Sequence, residues 1–317
     1  MTRRLRRSAV ATGFAALCLI VGPGAAKGSE SRSARLVGAD AVRFARGPIE
    51  RKELPRGGTT ITPRFLPVAL YGAPQAAALG ELGNGPPSQA TRFIRRQSSD
   101  YRDRTKKRIY PAFELIATIA QASAGADGRY RLRQPDEVIR TYLDEAQRRD
   151  FLFLLDIQPG RSTFIDEVKQ LRPWLRNRNV SIALDPEWNM GPTGVPGQTI
   201  GSVDAAMVNR VAVYMSRIVE RYNLPNKLLL IHRFTDQMID GEERIERQKG
   251  IELVLNVDGF GSPEAKRNAY ADLVPPRQYL HPGFKLFYEE DSRNGSRLMT
   301  PDEVTALVPR PQYVVYE

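Results

Sequence analysis

Short β-type apolar bursts alternate with longer helical patterns along most of this chain, and that rhythm limits the available folds more than any other feature. The bursts are Phe65–Tyr71, Ile109–Ile119, Phe151–Ile157, Val180–Leu184, Lys227–His232, Ile251–Val257, Phe284–Tyr288 and Tyr313–Tyr316. Most are nearly continuous runs of Leu, Ile, Val and Phe, as strands covered on both faces must be. Between them, Val138, Ile139, Tyr142, Leu143 and Ala146 fall on one helical face, as do Met207, Val208, Val211, Met215, Ile218, Val219 and Tyr222. Thr300-Pro301-Asp302-Glu303 reads as a capping box with Pro at the first helical position, Ser262-Pro263-Glu264 as a similar start, and Ser202 as a cap for the helix after it. Repeated strand–helix alternation implies parallel strands joined by right-handed crossovers, and eight such strands close a barrel. Phe65 to Glu317 spans 253 residues, the size of a typical (β/α)8 barrel of about 250. The expected fold is therefore α/β, a single-domain (β/α)8 TIM barrel over residues 64–317. A doubly wound open sheet is the other candidate, but it calls for a Gly-rich phosphate turn after its first strand, and Tyr71-Gly72-Ala73-Pro74 is not one.

The residues before the barrel read as address and tether. Arg3, Arg4, Arg6 and Arg7 precede an apolar run from Ala9 to Gly22, and Gly24-Ala25-Ala26 offers small residues for cleavage. That pattern predicts a secretory signal peptide over residues 1–26 and an extracytoplasmic protein with no stable membrane insertion after cleavage; an uncleaved single-span anchor is the alternative. The only Cys, Cys18, lies in the apolar run behind Leu17, where a lipoprotein signal wants a small residue. One thiol also excludes an internal disulfide and any Cys-built zinc or iron–sulfur centre. Residues 27–63 are rich in Gly, Ser, Arg and Pro without periodicity, which predicts an irregular arm, expected to cover the seam between the last strand and the first. Without residues 1–26 the formal charge falls from +11 to +7. The arginines are scattered and do not alternate with aromatics, so no nucleic-acid partner is expected.

The ends of the strands carry the chemistry, because (β/α)8 active sites sit at the carboxyl ends. Acids recur there: Glu114, Asp156, Asp185, Glu187, Asp258, Glu289, Glu290, Asp291 and Glu317, accompanied by Tyr71, Trp188, Phe234, Phe260, Tyr288 and Tyr316. A ring of carboxylates with aromatic platforms suits glycoside chemistry, in which one acid protonates the leaving oxygen and another carboxylate stabilises or attacks the oxocarbenium-like centre. Asp185 and Glu187 are two apart on an extended segment and so point to one face. A close acid pair raises the pKa of one member and keeps a proton available near neutral pH. Acids at strand ends also cap helices or pair with arginines, but Ser or Thr caps of their own are expected for the helices after the third, fourth, sixth and seventh strands. No Gly-x-Ser-x-Gly elbow and no His-x-x-x-His helix can be written, which removes α/β-hydrolase triads and zincin-type proteases. His232 ends the fifth strand; a packed or hydrogen-bonded histidine is the expectation there, a divalent-metal ligand the alternative.

Ile182-Ala183-Leu184-Asp185-Pro186-Glu187-Trp188 resembles the fourth-strand Asp-x-Glu signature of the chitinase-like glycoside hydrolase family 18 and the lysozyme-like family 25. Val180 and Ala183 stand where the chitinase-like pattern has further acids, and Tyr71 where the lysozyme-like pattern has an Asp. Asp156–Arg161, Leu184–Trp188, Leu255–Gly261 and Gly283–Asp291 together look like a family of uncharacterised secreted bacterial barrel proteins. The first resemblance implies Glu187 as general acid with Asp185 as its orienting partner. Asp258 or Glu290 is then expected as the opposing carboxylate, with Trp188, Tyr71, Glu114, Asp156, His232 and Tyr288 as substrate-binding residues. The expected partner is an envelope or extracellular polysaccharide, with no cofactor and no metal. A non-catalytic barrel that binds glycan, peptide or a partner protein at the same face is the alternative.

Overall fold

The computed structural model describes residues 50–274 and 279–317; the signal-like segment 1–26 and residues 27–49 of the arm lie outside them. Eight parallel strands close into a barrel: β1 (Phe65–Gly72), β2 (Arg108–Ala120), β3 (Leu152–Ile157), β4 (Val180–Leu184), β5 (Lys227–Arg233), β6 (Ile251–Val257), β7 (Leu280–Leu286) and β8 (Tyr313–Tyr316). Each pairs with its chain neighbour, and β1 pairs with both β2 and β8, through Val68↔Pro111 and Val68↔Val314. The fold is a TIM-barrel-like α/β domain, as the alternation predicts. Only β7 differs from its expected bounds by more than one residue at an end. β7 starts at Leu280, because pairing with β6 from Leu280↔Leu253 to Phe284↔Val257 draws in Pro282 and Gly283, two poor strand formers that hide the start.

The outer layer is α1 (Pro87–Ser99), α2 (Asp136–Arg148), α3 (Phe164–Gln170), α4 (Arg172–Leu175), α5 (Ala205–Tyr222), α6 (Pro263–Leu273) and α7 (Pro301–Thr305). Thr163, Ser262 and Thr300 cap α3, α6 and α7 with their side chains, and the Thr300/Glu303 capping box forms as expected. The cap of α5 is Asp204 and not Ser202: its Oδ1 accepts the Met207 N–H at 2.6 Å. The alternation lapses between β5 and β6. There the chain makes only two short 3-10 turns, Asp236–Met238 and Glu242–Arg244, around Ile239–Asp240, which pairs with Val203–Asp204. Met238, Ile239 and Ile245 are the buried apolar residues of that stretch, too few and too irregularly spaced for a helical stripe.

Strand alternation sorts the side chains into two cores. Outward residues such as Val68, Phe113, Leu155, Ile182, Ile231, Leu255 and Leu286 pack beneath the helices, with Val208, Val211 and Met215 of α5 among their partners. Inward residues Ala69, Tyr110, Leu154, Ala183, Leu230, Val254 and Val315 fill the barrel. Leu54 and Ile61 of the arm join this inner core at the amino ends of the strands. Glu252 fastens them there, accepting from the N–H groups of Ile61 and Thr62 at 2.8 and 2.6 Å. The described part of the arm therefore plugs the amino end of the barrel. The seam between the last strand and the first is closed by their parallel pairing, from Val68↔Val314 to Leu70↔Tyr316. Among the described residues no helix is long and apolar enough to cross a membrane.

Candidate active site

At the carboxyl ends of the strands the inward positions turn polar together: Tyr71 of β1, Glu114 of β2, Asp156 of β3, Asp185 after β4, His232 of β5, Asn256 of β6 and Asp258 just after it, Lys285 of β7 and Glu317 after β8. All are buried or nearly so, and strand parity places each one, since every second residue points into the barrel. They form two tiers. The upper tier, with Glu187 and Trp188, lines a cleft of about 590 Å³ that also takes in Phe234, Phe260 and Phe287.

The lower tier centres on His232, which is fully buried. Its Nε2 lies 2.9 Å from Glu114 Oε1 and its Nδ1 3.0 Å from Asp258 Oδ2. Burial alone would lower the imidazole pKa, but the hydrogen bonds to Asp258 and Glu114 carry it well above the ordinary value. Tyr313 donates to the other Glu114 oxygen at 2.6 Å, and Tyr71 donates to Asp156 Oδ2 at 3.2 Å while accepting from Gln158 at 3.2 Å. Glu114, Asp156 and His232 bring ligand-type atoms within 4.8 Å of one another. His232 Nδ1 faces both Asp258 and the side-chain amide of Asn256, 3.2 Å away.

The upper tier separates two carboxyl groups electrostatically. Glu187 follows β4 on the short 3-10 turn Pro186–Trp188. Burial first, and then the negative charge of Asp258, push its pKa up to about 7. Asp258 goes the other way: burial would raise it, but Lys285 and the His232 hydrogen bond hold it down at about 2. The Lys285 ammonium is 3.5 Å from Asp258 and 2.7 Å from Glu317, and lies 3.9 Å from the centre of the Tyr71 ring. Between the tiers, burial and the charges of Glu187 and Asp156 raise Asp185 well above a normal carboxyl, and its Oδ1 has no hydrogen-bond partner. Asp156 is raised to about 7, chiefly by burial. One cleft thus holds a carboxylic acid that keeps its proton near neutrality and a carboxylate that stays ionised.

Of the expected residues, the cleft collects Tyr71, Asp185, Glu187, Trp188 and Asp258. Glu114, Asp156 and His232 lie one tier below. Two others are placed elsewhere. Tyr288 shares the parity of Phe284 and Leu286, so it points outward, stacks on Tyr316 at 5.3 Å and donates to Gln97 at 2.9 Å. Glu290 sits on the turn after β7 with its carboxylate 2.9 Å from Arg293, outside the cleft. The buried acid of that turn is Asp291, which accepts from the N–H groups of Gly261 and Phe287 and pairs with Lys266 at 3.1 Å, tying the loops after β6 and β7 together. Sequence reasoning missed Lys285 and gave Glu317 no role beyond its place among the strand-end acids. A lysine between Phe284 and Leu286 in a buried strand is itself a signal, since such a cation needs a buried partner.

A second cleft, of about 640 Å³, opens at the opposite end of the barrel beside Thr62, Glu252 and His281. Its acid is already committed, because Glu252 also accepts from Thr62 Oγ1 at 2.7 Å and Asn226 Nδ2 at 2.8 Å. Compared with known proteins, the chain matches no family model and no curated protein.

Proposed function

We propose that this protein hydrolyses glycosidic bonds at the carboxyl-end cleft, with Glu187 as general acid and Asp258 as the opposing carboxylate. The observation that carries the reading is the pairing, in one cleft lined by aromatic rings, of Glu187 at about 7 with Asp258 at about 2. Protonation of the leaving oxygen requires the first and charge stabilisation at the anomeric carbon the second. Lys285 and His232 keep Asp258 ionised, and that negative charge raises the cost of losing the Glu187 proton, while the Glu187 charge in turn raises Asp185. Trp188, half-buried, and Phe260, 69% exposed, offer flat apolar faces for sugar rings at the mouth. With the signal-like residues 1–26, the reading extends to an extracellular or envelope polysaccharide as substrate.

The test is product release by the purified protein from a panel of envelope and extracellular polysaccharides, with Glu187→Gln assayed in parallel. Sugar released by the wild type and reduced at least a hundredfold in the variant is the expected result. Silence across the panel, with glycan binding unchanged in both proteins, would replace this reading with that of a non-catalytic glycan-binding barrel.

A further inference from the structure

Between Pro87 and Arg108 the chain carries eight Lys or Arg and two acids. In linear order these cations look scattered, but the fold gathers a subset of them. Arg56 of the arm, Arg95 of α1, Arg102 of the turn after α1, and Lys107 and Arg108 at the start of β2 line a cleft of about 490 Å³ whose other walls are Ser98, Ile109 and Pro111. It lies toward the amino ends of the strands, away from Glu187 and Asp258, and none of its lining residues is acidic.

The hydrogen-bond acceptors of these cations are all neutral, and the charges of Asp150 and Glu252 act on Arg56 and Lys107 only through space. Arg56 donates to the carbonyls of Asp150 at 2.9 Å and Ile109 at 3.2 Å, Arg108 donates to the Arg56 carbonyl at 3.2 Å, and Lys107 donates to the Thr62 carbonyl and the Gln312 side chain. Arg95 faces the Phe151 ring at 5.9 Å. Among the described residues none of these five forms an ion pair, and Arg95 and Arg102 donate no hydrogen bond. Ser98 adds an independent sign: it is 3% exposed and its hydroxyl, at this cleft, has no hydrogen-bond partner. A buried hydroxyl without a partner and a set of unneutralised guanidinium groups share one remedy, an oxyanion that accepts from both.

We propose that this cleft binds a phosphate group. Tetrahedral oxyanions accept from several planar guanidinium forks at once, and a phosphate group does so with more than one negative charge. The volume also leaves room for part of the group that carries the phosphate. The ligand's source is either a small phosphate compound or a phosphate-bearing polymer, and the chemistry at the cleft is common to both.

Calorimetric titration of the full chain with inorganic phosphate, with pyrophosphate and with long-chain polyphosphate, each against chloride at equal ionic strength, tests this. Pyrophosphate is expected to bind with one-to-one stoichiometry. Arg95→Gln/Arg102→Gln should weaken it at least tenfold and Ser98→Ala a few-fold, with Glu187→Gln unchanged. The arginines are surface residues, so the double variant stays folded. Equal affinity for inorganic phosphate and per-site polyphosphate indicates a small phosphate ligand; a polymer preference that is still lost in the Arg95/Arg102 variant indicates a polymeric one. No response beyond that of chloride would overturn the proposal. So would polyphosphate binding that is steeply salt-dependent and indifferent to all three cleft substitutions, which is general attraction to a basic protein.

Discussion

Replacing Glu187 by Gln should stabilise this protein, and only above a definable pH. The carboxyl group is carried from an ordinary 4.5 to about 7 in the folded protein. A carboxyl whose folded pKa is raised contributes stability that is fully present below the unfolded value, and loses it as pH rises through the folded value. The window is therefore pH 4.5 to 7. Each pKa unit is worth about 1.4 kcal/mol, so ionised Glu187 costs the fold about 3 kcal/mol at pH 8. That figure is an upper bound, because the side chain is half-buried and water in the cleft screens it. Gln has the same shape and no charge to desolvate. Urea denaturation at pH 4 should show wild type and Glu187→Gln within about 0.5 kcal/mol of each other, and at pH 8 the variant ahead by 2 to 3 kcal/mol, roughly 4–12 °C in Tm for a domain of this size. A difference independent of pH, or a variant less stable at pH 8, would refute the electrostatic account of this site whatever the protein's activity.

Lys285→Met should destabilise the fold by about 3–5 kcal/mol, since it strips the cation from Asp258 and Glu317. Adding Glu317→Gln should recover part of that loss in a double-mutant cycle read by denaturation, and strict additivity would show that the two groups are not coupled. Gly283→Ala places a methyl 2.6 Å from Asn256 Oδ1 and 2.9 Å from Val254 Cγ1, where β7 passes close over β6. A loss of about 1–3 kcal/mol in unfolding free energy, read by urea denaturation, is expected from that overpacking, with partial relief by Asn256→Ala.

Much of the barrel is legible in the chain because its signals are local. Val180–Leu184, Ile251–Val257 and Tyr313–Tyr316 coincide with the strands observed, and the Thr300/Glu303 box needs only adjacent residues to form. The reading slips where a neighbour decides. Pro282 and Gly283 are strand only because β6 supplies the pairing. Ser202 yields to Asp204 because the entry of the chain into α5 selects the cap. The site divides the same way. Asp185, Glu187, Trp188 and Asp258 stand out as acids and an aromatic at strand ends, and the cleft does collect them. Tyr288 and Glu290 share that signature, yet strand parity turns the first toward α1, and the turn gives the second to Arg293.

The sequence by itself determined the strand–helix order, and with it a closed parallel barrel whose carboxyl ends are rich in acids, because burial pattern and capping are properties of neighbouring residues. Tertiary structure alone decided which of those acids keeps its proton. Glu187 and Asp258 are the same functional group some seventy residues apart, and they differ because the fold leaves one beside a negative charge in a half-buried turn and the other between Lys285 and His232. Charge interactions depend on distance in space, and the chain brings those partners together only once the barrel has closed.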